Sequence, residues 1–256
     1  MADSARYALH RPEVLDALER GEHKIIEAFA DPPVRLAAGT TLVSGGEDHR
    51  FVYRLQSGWL GRHRLLPDGR NQFILFFLPG DLFAVKSMFM RKHPDDIRVL
   101  SDAVLQRIPQ AELLAAFNRD PDIATRCIWQ VMEEERRLHS WVVGLGQGSA
   151  EERAARALLD FRARLVLSRT IAAGTMTYPM PLTQSQLADF LGITSVHVSR
   201  VLKDLRSRDL VSCEAGAVSI LNLEQLATLA APLLDPAEEV RSAYVGRLAT
   251  PQPDAT

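Results

Sequence analysis

The chain has 256 residues, 46% of them apolar and 24% charged, with a formal net charge of −2. That composition belongs to an ordinary globular protein of on the order of two domains, and it excludes a disordered chain, a collagen-like repeat and a highly charged tail protein. Two cysteines, Cys127 and Cys213, are too few for a disulfide scaffold, a Cys-rich zinc site or a cysteine-held iron–sulfur cluster. The longest apolar run, residues 73–78, falls far short of the ~20 residues a membrane span needs. The opening MADSARYALHRPEV has no apolar leader core, so a cytoplasmic protein with no membrane partner is expected.

Residues 12–29 read as a short helix with Val14, Leu15, Leu18, Ile25, Ile26 and Phe29 as its apolar positions, interrupted near Gly21. From Val34 to Ile108 the texture changes. Short β-branched, aromatic or apolar runs (TTLV, FVYRLQ, WLGRHRLL, NQFILFFL) alternate with turn residues, the spacing of a sandwich, barrel or jelly roll. Pro67-Asp68-Gly69 marks a hairpin, because Pro presets φ and Gly accepts a positive φ. The last strand of this region is expected over residues 103–108.

A long helix follows, opened by Pro121 and Asp122 and running to about Leu145. Ala124, Ile128, Val131, Glu135, Leu138, Val142 and Leu145 are spaced 4-3-4-3-4-3, a heptad seam with one polar member. Such a narrow stripe suits a two-chain coiled coil; packing on its own barrel is the alternative. The glycines of GLGQGS are expected to break the chain there. Ser149 and Glu152 then form an S-x-x-E capping box that restarts a helix to about Ser168. Its face is Ala155, Leu158, Leu159, Arg162 and Leu165. After a loop AAGTMTYPMP, two short helices and a β-ribbon are expected, and the Pro/Ala-rich tail from Pro232 is expected to be mobile.

The stretch that carries function is PLTQSQLADFLGITSVHVSRVLKDLRSRDLV, residues 181–211. Thr183 and Gln186 make a T-x-x-Q capping box, Leu187, Ala188 and Leu191 share one helix face, and Gly192 ends the helix. Thr194 caps a second helix whose buried face is Val198, Val201, Leu202 and Leu205. That is a helix-turn-helix, and LVSCEAGAVSIL after it reads as a wing. The candidate DNA contacts are Thr183, Ser195, Val196, His197, Ser199, Arg200, Lys203 and Arg206, with Arg208 also within reach of phosphates. Residues 149–210 carry nine basic against six acidic side chains, a local bias of +3 that fits a phosphate-facing module.

A β-roll, a long helix, a hinge and a winged helix-turn-helix together resemble the Crp/Fnr superfamily of bacterial transcription regulators. The resemblance rests on SGWLGRHRLLPDGRNQFILFFLPGDLF, EERAARALLDF and the helix-turn-helix stretch, and covers about residues 33–230. It implies an α+β chain with four parts. These are a cyclic-nucleotide-binding-like β-roll with N-terminal helices (1–121), a dimerisation helix (122–146), a winged helix-turn-helix (147–231) and a flexible tail (232–256). Promoter DNA, a second copy of the chain and RNA polymerase are the implied partners. Members with Fnr-like specificity carry E-x-x-S-R on the recognition helix. Here Ser199 and Arg200 match while Val196 replaces the acid, so the guanine contact is retained and the rest of the half-site is open.

Cyclic-nucleotide-binding members carry G-D-x-x-G-E and a downstream Arg-Ser. This chain has Val85 in place of the Glu and His93-Pro94 in place of Arg-Ser, followed by Asp95 and Asp96, two carboxylates expected to repel a phosphate. Lys86 is expected to be solvated. No cofactor is expected: neither cyclic AMP, nor a cluster, nor a haem on His49, His63 or His93. Cys213 is more plausible as filler than as a redox switch. A cupin-type metal enzyme needs an H-x-H pair, which His63 lacks, and the chain is not expected to be an enzyme or to hold a metal. The alternative function is a sensor or adaptor whose jelly roll serves a protein partner or a small effector.

Overall fold

The structure, a computed structural model, describes residues 12–30, 32–235 and Glu238. It divides into two compact units, Met1–Leu138 and His139–Thr256.

The first unit begins with α1 (Pro12–Ala28), then β1 (Val34–Leu36), β2 (Thr41–Val43), β3 (Phe51–Ser57), β4 (Leu60–Leu65), β5 (Asn71–Phe77), β6 (Leu82–Phe83), β7 (Asp96–Val99), β8 (Ala103–Pro109) and α2 (Gln110–Arg119). The long helix α3 (Pro121–Gln147) starts in this unit and ends in the second. The strands form two four-stranded antiparallel sheets, ordered β1-β8-β3-β6 and β2-β7-β4-β5. This is the double-sheet solution to unpaired strand edges.

Between the sheets lies one apolar core, with Tyr53, Leu55, Phe83 and Leu105 from one sheet and Val43, Leu60, Phe77, Ile97 and Val99 from the other. Strand alternation sends Val52 and Ile108 to the opposite face of the first sheet. There they pack with Ile25 and Phe29 of α1, Leu113 and Ala116 of α2, and Ile123 and Cys127 of α3. The Pro67-Asp68-Gly69 turn joins β4 to β5, with the Gly69 N–H donating to the Leu66 carbonyl at 2.9 Å.

Gly21 does not interrupt α1. A Cβ there would lie 2.2 Å from the Asp122 carbonyl oxygen, so the glycine is what lets α1 and α3 approach. The contact is tightened by charge: Arg20 Nε and Lys24 Nζ both donate to Asp122 at 2.8 Å. Ile26, expected on the apolar face, is exposed.

The second unit contains α4 (Ala150–Leu167), β9 (Thr177–Pro179), α5 (Gln184–Leu191), α6 (Ser195–Ser207), β10 (Val211–Glu214), β11 (Ala217–Ile220) and α7 (Leu223–Ala230). Three expectations need correction here. Gly144 and Gly146 do not break the long helix, which runs through both to Gln147. The stretch expected as a loop contains β9, which pairs with β11 so that the ribbon becomes a three-stranded sheet. The tail is anchored in part: Leu233 is buried, and the Glu238 carboxylate accepts from Arg156 Nη2 at 2.8 Å and Ser140 Oγ at 3.0 Å. The rest of the expectation for 239–256, like that for 1–11, lies outside the described residues.

Candidate nucleic-acid interface

One reciprocal capping box and one simple N-cap position the recognition elements. Thr183 Oγ1 accepts from the Gln186 N–H at 3.1 Å while Gln186 Oε1 accepts from the Thr183 N–H at 2.9 Å, which starts α5 at Gln184. Gly192 ends it at φ 66°, ψ 37°, and its N–H donates to the Ala188 carbonyl. A side chain at this left-handed position would be strained, and its Cβ would also meet Leu145 Cδ2 at 2.8 Å. Thr194 Oγ1 then accepts from the His197 N–H at 3.2 Å and opens α6.

The inner faces are apolar. Leu187, Ala188 and Leu191 of α5 and Val198, Val201 and Leu205 of α6 are buried. Phe190 packs edge-on to Trp141, with ring centroids 4.1 Å apart, and stacks against Phe161 of α4. Burying Val198, Val201 and Leu205 fixes the rotation of α6, so its outer face is set by its core face.

That outer face carries Ser195, Val196, His197, Ser199, Arg200 and Lys203, all exposed, with Thr183 exposed at the start of α5. Arg200 makes no ion pair or hydrogen bond among the described residues. Asp204, one turn on and an obvious partner, is taken by Arg208 Nη1 at 3.2 Å. Arg206 is exposed but committed: its Nη2 donates to the Cys213 carbonyl of β10 at 3.1 Å, tying the recognition helix to the wing. Arg208 also bonds Glu151 at 3.1 Å.

The +3 bias of this segment is therefore not a surface charge. Arg156, Arg162 and Arg164 of α4 are buried. Arg162 donates to the carbonyls of Thr175 and Ala173 at 3.0 and 2.5 Å, stapling the loop that precedes β9. Arg156 lies over the Trp141 ring and binds Glu238. Arg200 and Lys203 carry the exposed positive charge of α6 that no bond among the described residues engages. Residue counting cannot make this distinction, because an arginine within an amphipathic helix has the same charge whether it faces solvent or backbone carbonyls.

The wing is β10 and β11 joined at Ala215 and Gly216, whose φ values are 48° and 77°. Two successive positive φ angles define a type I′ hairpin turn. Burial pushes the Cys213 thiol up from its ordinary value, which favours its protonated form.

On α3, the expected seam is split by burial. Ile128, Glu135, Val142 and Leu145 are exposed, while Ala124, Val131 and Leu138 are half-buried and Val131 packs on the α1–α3 cluster. Met132 and His139 are exposed as well. The solvent stripe is thus Ile128, Met132, Glu135, His139 and Val142, which keeps the 4-3 spacing but is rotated from the expected one.

The β-roll positions matching the nucleotide-binding run are filled from within. Val85 is buried among Ile25, Phe29, Leu82 and Ile108, and Ala84 stands at φ 60°. Asp95 does not confront an open site: Arg64 holds it at 2.6 Å, with Arg62 Nε 3.8 Å away. Asp96 accepts from the Gly45 N–H at 2.8 Å. Lys86 is half-buried rather than solvated. The group missed from the sequence is Glu134, which accepts from Arg62 Nη1 at 3.0 Å. His93 bonds the Asp95 carbonyl at 2.6 Å, and burial lowers its pKa so that it stays neutral.

Two regions of the chain match known domains: residues 33–120 the cyclic nucleotide-binding domain and residues 152–229 the Crp-like helix-turn-helix domain. The chain belongs to the Crp/Fnr family of transcription regulators. It is 27% identical over 224 residues to the nitrogen fixation regulation protein FixK of Bradyrhizobium diazoefficiens, covering 88% of this chain and 92% of that one. It is 28% identical over 203 residues to the transcriptional regulator LdrP of Thermus thermophilus, covering 79% and 99%. The solved structure of FixK2 from Bradyrhizobium japonicum superposes with a TM-score of 0.70 at 26% identity, over 77% of this chain and 96% of that one. As a Crp/Fnr regulator, this chain is a sequence-specific DNA-binding protein. Among its described residues no helix is long and apolar enough to cross a membrane.

Proposed function

We propose that this regulator binds a palindromic promoter site as a homodimer, reads one guanine in each half-site through Arg200, and works without cyclic AMP. The observation that carries the reading is the state of Arg200: exposed on the outer face of α6, beside Ser199, and unpaired among the described residues, while Arg206 and Arg208 are bonded within the domain. A guanidinium held on a rigid helix with its fork open is suited to the O6 and N7 of guanine. Val196 is exposed next to it and offers a methyl-sized contact to thymine rather than an acceptor for cytosine. Ser195, His197, Lys203 and the Thr183 end of α5 flank this pair and supply backbone contacts.

Dimerisation is carried by the exposed α3 stripe. Ile128, Met132 and Val142 are 59%, 63% and 68% exposed on a stripe of 4-3 spacing whose other members are Glu135 and His139, and a second copy covers it. Independence from cyclic AMP follows from the buried apolar Val85 and from the Arg62–Glu134 pair. A phosphate entering there would have to displace a carboxylate already on the arginine. The functional parts are the β-roll over 1–121, the dimer helix over 122–146 and the DNA-reading module over 147–231. RNA polymerase is the further partner, in the cytoplasm, a reading supported by relatives named as transcriptional activators.

Sequencing the fragments that the purified protein retains from sheared genomic DNA tests this. The expected result is an enriched inverted repeat with centres about one helical turn apart, unchanged by added cyclic AMP. Recovery with no shared sequence, or recovery only with the nucleotide, overturns it.

A further inference from the structure

The β-roll unit carries a second feature that DNA binding does not use. A cleft of about 630 Å³ opens beside the start of β3, lined among others by His49, Phe51, Ser87, Phe89, Met90 and Arg91. It involves none of residues 80–85 or 93–96, so it is separate from the positions that match the nucleotide-binding run. Its size is that of a small-molecule site.

Two polar atoms there are left without partners. Ser87 is 5% exposed and its Oγ makes no hydrogen bond among the described residues; His49 Nε2 is buried and makes none there either. Buried polar atoms are almost always bonded, so two orphans on one cleft mark bonds awaiting a ligand. Burial lowers the His49 pKa and keeps the imidazole neutral. A neutral imidazole has one N–H donor and one acceptor nitrogen, so Nε2 can bond a polar group that enters.

The walls set the rest of the ligand. Phe51 is one side, with Arg107 stacked 4.7 Å from its ring centroid on another face. Phe89 and Met90 form an exposed apolar lip, Phe89 at 78% exposure. Arg91 stands at the rim, exposed and with no ion pair among the described residues, whereas Arg50 is held by Asp48 at 3.4 Å. The apolar walls suit a flat ring, the unpartnered His49 and Ser87 suit a hydroxyl or N–H group, and Arg91 suits a carboxylate.

We propose that this cleft is a binding site for a small aromatic acid bearing a ring hydroxyl or N–H donor. Titration calorimetry of the full-length protein with 4-hydroxyphenylacetate tests it, using phenylacetate as the analogue that lacks the hydroxyl. The expected result is saturable binding at one site per chain, weakened about 10-fold for phenylacetate and about 10-fold in each of Arg91→Ala and Ser87→Ala. Both variants are expected to keep the wild-type thermal melt and DNA binding, because neither side chain holds the fold together. Absence of heat up to about 10 mM ligand overturns the proposal, as does binding by both variants at wild-type strength.

Discussion

Arg62 of β4 donates through Nη1 to Glu134 of α3 at 3.0 Å, and both side chains are 5% exposed. The pair pins a sheet to the long helix by charge rather than by packing. Removing one partner strands the other in a low-dielectric interior, so Glu134→Ala should cost about 3–5 kcal/mol in urea unfolding. Arg62→Met with Glu134→Leu should cost less than Glu134→Ala alone, since the double replacement strands no charge. Additive losses would show that the two residues act separately.

Arg20 and then Lys24 hold the Asp122 carboxyl down at about 2. A depressed carboxylate adds stability above its unfolded value near ~4 and loses it as pH falls through about 2. Solvent reaches this group, which limits the contribution to about 1 kcal/mol. Acid titration of the melting temperature should therefore fall more steeply between pH ~4 and ~2 in the wild type than in Asp122→Asn. Parallel curves would remove this link between α1 and α3.

The wing turn stores strain at a known place. Ala215 has φ 48°, where an L side chain costs about 1 kcal/mol and glycine none. Ala215→Gly should raise stability by a few tenths to about 1 kcal/mol, less glycine's extra unfolded entropy. The thermal melt of the variant checks this, and a lower melting temperature would contradict the strain.

Ile128→Glu with Val142→Glu should give monomers in sedimentation equilibrium, because both sit on the exposed α3 stripe. Leu138, half-buried on its own helix, should matter less for assembly. A dimer that survives the double change would place the interface elsewhere.

Much of this architecture is legible before any coordinates. The turn-punctuated strands give the jelly roll. The Ser149/Glu152 and Thr183/Gln186 boxes form as their spacing requires. The failures share one cause, which is that neighbours distant in sequence override local signals. Gly21, Gly144 and Gly146 read as breaks but lie inside helices, Gly21 because α3 presses on it. Arg156 and Arg162 read as surface charge but bond Glu238 and two loop carbonyls. The Arg62–Glu134 pair spans 72 residues and has no local signature.

The account turns on Arg200. Site selection from random-sequence DNA, run in parallel with wild type and Arg200→Ala, tests it most directly. The expected result is an inverted repeat with a guanine in each half-site for the wild type. Arg200→Ala should lose that guanine preference alone, at a cost of about 1–3 kcal/mol. Identical sequence preferences for the two proteins would contradict base reading by Arg200.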